Sequence, residues 1–172
     1  MISGFVKMAK AKYQLDDFLA LVKDDDKDFV LTIHEMLLQE GYKCKVQVTK
    51  SYGLHISYSQ PKIKVVKGII VYFLIQGGNL MVRINADHYA NYPDALNSLP
   101  EHILGQVDQA DDCMKATDPL KCWQGCIGYD FQIGEKHYQK CLINCFLLHV
   151  DAESFPFLLA LIRNELRERQ AV

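Results

Sequence analysis

Apolar positions change their period along this chain, and each change predicts a change of element. Asp16 and Asp17 precede Phe18, Leu19, Leu21 and Val22, which predicts a short helix with acidic residues complementing its dipole. Phe29, Ile33, Met36 and Leu37 then recur at helical spacing up to Gly41, a residue suited to ending a helix. His34 lies off that stripe and reads as a surface residue. The run Asp24-Asp25-Asp26 lacks the glycine and distal glutamate of a calcium-binding loop and reads as a solvated helix junction.

Beyond Gly41 the period becomes two. Cys44, Val46 and Val48 alternate with Lys43, Lys45 and Gln47, and Leu54, Ile56 and Tyr58 alternate with His55, Ser57 and Ser59. Cys44 falls on the apolar side and reads as core. Residues 65–75 are nearly all apolar and β-branched or aromatic, as in a central strand covered on both faces. Gln76-Gly77-Gly78-Asn79 is a turn signal, and Leu80, Val82 and Ile84 alternate after it with Met81 and Arg83. The pattern predicts an antiparallel four-stranded meander.

The polar, aromatic stretch 87–93 follows. Its His88 invites a general-base role beside Arg83, but a lone histidine at a strand end lacks the required second partner and reads as a surface or satisfied residue. Ser98-Leu99-Pro100-Glu101 reads as a capping box opening a helix with Ile103, Leu104, Val107, Ala110 and Met114 on one face, so that Cys113 falls near its C-terminal end. Cys122 and Cys126 flank Trp123-Gln124-Gly125. Tyr129, Phe131 and Ile133 alternate up to the hairpin signal Gly134-Glu135, and His137 and Tyr138 lie on the return strand. Residues 142–150 fit a helix through Leu142, Ile143, Phe146, Leu147 and Val150, with a buried strand as the alternative. Ser154 and Pro156 open a closing helix whose stripe is Leu158, Leu161, Ile162 and Leu166 and whose end carries Arg163, Arg167 and Arg169.

The expected fold is therefore α+β: a predominantly antiparallel four-stranded meander covered by helices, with a cysteine-rich loop and hairpin and a C-terminal helix. One domain over residues 1–172 is expected, with a core at 1–112 and a cysteine-rich extension at 113–172 packed on it. The two helices, the stretch from Gly68 to Ile84, His88 and Leu99-Pro100 together resemble the bacterial YdhG-like domain of unknown function. That resemblance covers roughly the first two thirds of the chain and implies a pattern of elements, not a reaction. With its cysteine-rich C-terminal extension, including Gly128-Tyr129-Asp130-Phe131 and Tyr138-Gln139-Lys140-Cys141, the chain also resembles uncharacterised bacterial proteins.

Composition narrows the function classes. Hydrophobic residues at 49% and charged residues at 23% are globular values, and a net charge of -2 with a pI near 6.3 argues against general nucleic-acid or anionic-membrane binding. Residues 1–8 carry no export signal, and the longest apolar run, residues 68–75, is far short of the ~20 needed to span a bilayer. A cytoplasmic location with reduced thiols is expected.

Five of the six cysteines lie between Cys113 and Cys145, in the order Cys-x8-Cys-x3-Cys-x14-Cys-x3-Cys. Cys113, Cys122, Cys126 and Cys141 suit a structural zinc tetrahedron, with His137 as a substitute ligand and Cys145 as a packed thiol. Buried free thiols, or disulfide and redox chemistry, are the alternatives. No Gly-rich phosphate loop, His-Glu-x-x-His pair or Gly-x-Ser-x-Gly elbow occurs. The expected function is a binding or interaction domain for an unknown small molecule or protein, ordered by zinc; a thiol-dependent redox enzyme or sensor is the alternative.

Overall fold

A computed structural model describes residues 12–61, 68–118, 120, 122, 126 and 128–171. Helix α1 (Leu15–Leu19) begins where the Gln14 backbone N–H donates to the Asp17 carboxylate at 2.7 Å. Helix α2 (Asp24–Gln39) starts earlier than its apolar stripe suggests, because the three aspartates form its first turn, where the helix dipole favours negative charge. Gly41, at φ 79°, reverses the chain into the sheet, and Tyr42 N–H closes the helix end on the Leu37 carbonyl at 2.9 Å.

The meander is present: β1 (Lys43–Thr49), β2 (Gly53–Ser59), β3 (Ile69–Gln76) and β4 (Asn79–Ile84) pair antiparallel in chain order. Residues 65–67 of the expected central strand lie outside the described residues. Gly77 and Gly78 turn β3 into β4 with φ of 58° and 79°, values that match a hairpin turn of the primed type. Register aligns Ile56, Phe73, Val82 and Leu148 across the sheet, and all four are fully buried. The Phe29 ring of α2 meets Phe73 edge-on at 5.9 Å and Phe155 at 4.9 Å, joining the sheet to α2 and to the last helix.

Three expectations are corrected beyond β4. Pro93–Asn97 forms α3, and Ser98 ends it by donating its hydroxyl to the Ala95 carbonyl at 2.9 Å; Ser98 is therefore no cap for α4 (Glu101–Gln109), which starts at an extended Pro100. Helix α4 stops before Cys113, because Ala110 leaves the helix and Lys140 donates to the carbonyls of Asp108 (2.9 Å) and Ala110 (2.8 Å). Cys113 instead precedes the short α5 (Met114–Thr117). Within 142–150 the chain is a strand, β7 (Leu147–His149), which adds to the open edge of β4 and makes the sheet five-stranded. An unpaired edge beside an apolar run favours the ladder over a helix.

The hairpin of β5 (Tyr129–Ile133) and β6 (Lys136–Lys140) forms as expected, turning at Gly134. Its Tyr129 and Phe131 pack on Phe146 and belong to the same buried cluster as Phe73. Helix α6 (Phe155–Ala171) closes the chain with Leu158, Leu161, Ile162 and Leu166 buried. His34 is half-buried, not a surface residue: its Nδ1 lies 2.9 Å from the Tyr58 hydroxyl. No helix among the described residues is long and apolar enough to cross a membrane.

Candidate functional site

Short backbone bonds place the cysteine segment on the hairpin. Asp112 bridges Lys140, so Cys113 N–H reaches the Gln139 carbonyl at 2.9 Å and Cys141 N–H reaches the Asp111 carbonyl at 2.8 Å. Lys140, 7% exposed, completes its charge on the Asp112 carboxylate at 2.9 Å. Gly128, at φ 65°, lets its backbone approach the Cys113 thiol so closely that an added Cβ would lie 2.6 Å from Sγ. Cys126 is buried, and its carbonyl accepts from Lys115 Nζ at 2.8 Å.

All six cysteines are among the described residues, and none is in a disulfide. Cys113, Cys122 and Cys141 are half-buried. Among the described residues, no three His, Cys, Asp or Glu side chains form a group that could hold a metal ion. His137 pairs through Nε2 with the Asp130 carboxylate at 2.6 Å. Cys145 is fully buried, and burial pushes its thiol far above the ordinary range, as expected for a packed, unreactive sulfur.

The partner that His88 lacks in sequence is Glu165, 77 residues away on α6. Glu165 is fully buried and receives four hydrogen bonds. Its Oε1 accepts from His88 Nδ1 (3.0 Å) and Arg169 Nε (2.7 Å); its Oε2 accepts from His88 N–H (3.0 Å) and the Tyr92 hydroxyl (2.8 Å). Arg169 carries the network on, to the Asn85 carbonyl at 2.9 Å and the Asp87 carboxylate at 2.7 Å. Burial, then the Glu165 charge, raises the Tyr92 phenol far above its usual value, so the hydroxyl remains a donor. A carboxylate on Nδ1 leaves Nε2 as the basic nitrogen, the form of a general base. Among the described residues, however, no serine, threonine or cysteine side chain is bonded to His88; the network fastens α6 to the segment after β4. Glu165 had one sequence signal, a charged residue at helical spacing within the stripe Leu158, Leu161, Ile162 and Leu166.

A second polar constellation occupies the sheet face opposite the Phe73 row. Register aligns Lys45, Ser57, Tyr72, Arg83 and Leu147 across the five strands. Lys45 is exposed, but Ser57 (4%), Tyr72 (8%) and Arg83 (8%) are buried, so the polar side of the β2 alternation is not a solvent face. The Arg83 guanidinium lies 4.1 Å from the centroid of the Tyr72 ring, and Nη1 donates to the Tyr52 hydroxyl at 3.0 Å. His55, edge-on to Tyr52, has Nε2 3.0 Å from the Gln47 amide nitrogen and Nδ1 3.1 Å from the Gly53 carbonyl, so both ring nitrogens are engaged. Arg83 Nε is buried without a hydrogen-bond partner, and no carboxylate among the described residues pairs with the guanidinium. A buried cation without a carboxylate partner is costly, which makes this arrangement a candidate ligand site.

No protein-family model, curated protein or solved structure matches the chain.

Proposed function

We propose that this chain is a non-catalytic binding domain whose binding surface is the polar sheet face around Arg83. The observation that carries it is the buried guanidinium without a counter-ion, since a fold that buries a charge unpaired stands to gain from a partner that supplies the missing acceptors. The histidine best equipped for chemistry, His88, has its carboxylate committed to four structural bonds, which favours binding over catalysis. The YdhG-like resemblance enters through the order of elements and adds no reaction.

A thermal-shift panel of small anionic, neutral and cationic compounds tests the proposal on the full chain. Stabilisation by at least one class, lost in Tyr72→Ala, supports it; a panel without any saturable response defeats it. A structural zinc held by Cys113, Cys122, Cys126 and Cys141 is a separate part of the proposal, supported by the absence of disulfides at these four positions and by the hydrogen-bonded proximity of the Cys113 and Cys141 backbones to one strand bridge. Reconstitution under reducing conditions followed by metal analysis tests it: stoichiometric zinc that protects four thiols supports the site, and metal-free protein with accessible thiols removes it.

A further inference from the structure

The missing counter-ion has a definable chemistry. None of the residues outside the described set is an aspartate or glutamate, so no side-chain carboxylate of the undescribed residues can pair with Arg83. The described carboxylates have no ion pair with it either, whereas Arg169, the other arginine with a buried side chain, has two. The acceptors that Arg83 lacks are ones another molecule can supply.

We propose that the Arg83 site binds the carboxylate of a small molecule with a flat apolar body, which deepens the binding proposal and rests on it. One edge of the guanidinium is occupied, because Nη1 serves the Tyr52 hydroxyl; the edge that includes Nε retains unused donors and matches the two oxygens of a carboxylate. Tyr72 lies against the guanidinium at 4.1 Å, and Tyr52 and His55 pack edge-on at 5.7 Å, giving the ligand body aromatic walls. A phosphate, with its larger charge, calls for further cations. Both His55 ring nitrogens are engaged by Gln47 and Gly53, and Lys45, the lysine in the same row, stands three strands from Arg83 at a backbone separation of roughly 14 Å.

Arginine Nε–H signals in nitrogen-15 NMR spectra report on this group directly. Sodium benzoate, sodium acetate, benzamide and inorganic phosphate are titrated into the full chain, and the titrations are repeated with Arg83→Met and Arg83→Lys. Benzoate is expected to move the Arg83 Nε–H signal saturably and to raise the melting temperature, acetate to do so more weakly, and benzamide, its uncharged counterpart, to do neither. Arg83→Met, folded by circular dichroism, loses the response, and Arg83→Lys weakens it at least tenfold by losing the two-pronged donor geometry. An equal benzoate response in Arg83→Met, or no response to benzoate and acetate, overturns the carboxylate assignment. If phosphate, neutral or cationic compounds still bind at Tyr72 in that case, the binding proposal stands and the carboxylate alone fails; if nothing binds, both fall.

Discussion

Two buried arginine side chains on this scaffold meet opposite electrostatic conditions. Arg169, with its side chain 5% exposed, is enclosed by the Glu165 and Asp87 carboxylates and the Asn85 carbonyl. Arg83, 8% exposed, has a tyrosine hydroxyl and a tyrosine ring. In the first region each charge satisfies another, and the region holds two distant segments together. In the second, desolvation of the cation is offset in part by the ring, an interaction worth on the order of 2 kcal/mol when desolvated. The contrast separates burial that stabilises a fold from burial that prepares a site.

The sharpest way to break this comparison is to remove one group from each region and measure unfolding in urea. Glu165→Leu leaves Arg169, Tyr92 and the His88 backbone facing an apolar side chain, and is expected to cost about 3–5 kcal/mol. Arg83→Met, which removes a charge that has no ion pair, is expected to change stability by less than about 1 kcal/mol or to raise it. Equal losses would mean that Arg83 is a structural cation after all.

Lys140 offers an intermediate case, a buried cation with two carbonyls and one exposed carboxylate as acceptors. Lys140→Met should cost roughly 2 kcal/mol, because it strands the α4 carbonyls, and should raise the alkylation rate of Cys113, whose backbone depends on the same bridge. An unchanged alkylation rate would separate the cysteine segment from the lysine clamp. Smaller still is the difference between hydroxyl deletions. Tyr92→Phe takes a charge-assisted bond from buried Glu165, about 1.5–3 kcal/mol, whereas Tyr52→Phe, at a half-exposed turn, should cost less than about 1 kcal/mol. A larger loss at Tyr52 would show that its hydroxyl is structural support for Arg83.

The smallest effect is a pH slope that neither arginine produces. Burial against Tyr58 holds His34 below its ordinary pKa of 6.5, with the Glu35 charge opposing the shift. The folded state therefore favours the neutral ring, so this contribution is complete above the unfolded value and is lost as pH falls through the folded one. His34→Gln should flatten the stability profile between about pH 7 and pH 5. A slope unchanged by the substitution would place its origin in other groups.

Periodicity alone determined the meander, the β5–β6 hairpin, the long helix α2 and the closing helix, because an apolar repeat of two or 3.6 follows from backbone geometry within one element. Tertiary structure decided what periodicity leaves open. Residues 147–149 became a strand because β4 offered an unfilled edge, α4 ended early because Lys140 took its last carbonyls, and His34 was drawn inward by Tyr58. The polar row at Ser57 and Arg83 reads as a solvent face from its alternation, yet it is buried, since alternation distinguishes two faces of a strand without saying what covers the second. Where the four cysteine side chains of the expected tetrahedron point is likewise left to tertiary structure, because spacing along a chain does not fix it. His88 acquired Glu165 from 77 residues away by the docking of a helix on a sheet, an energy of packing that no local pattern contains.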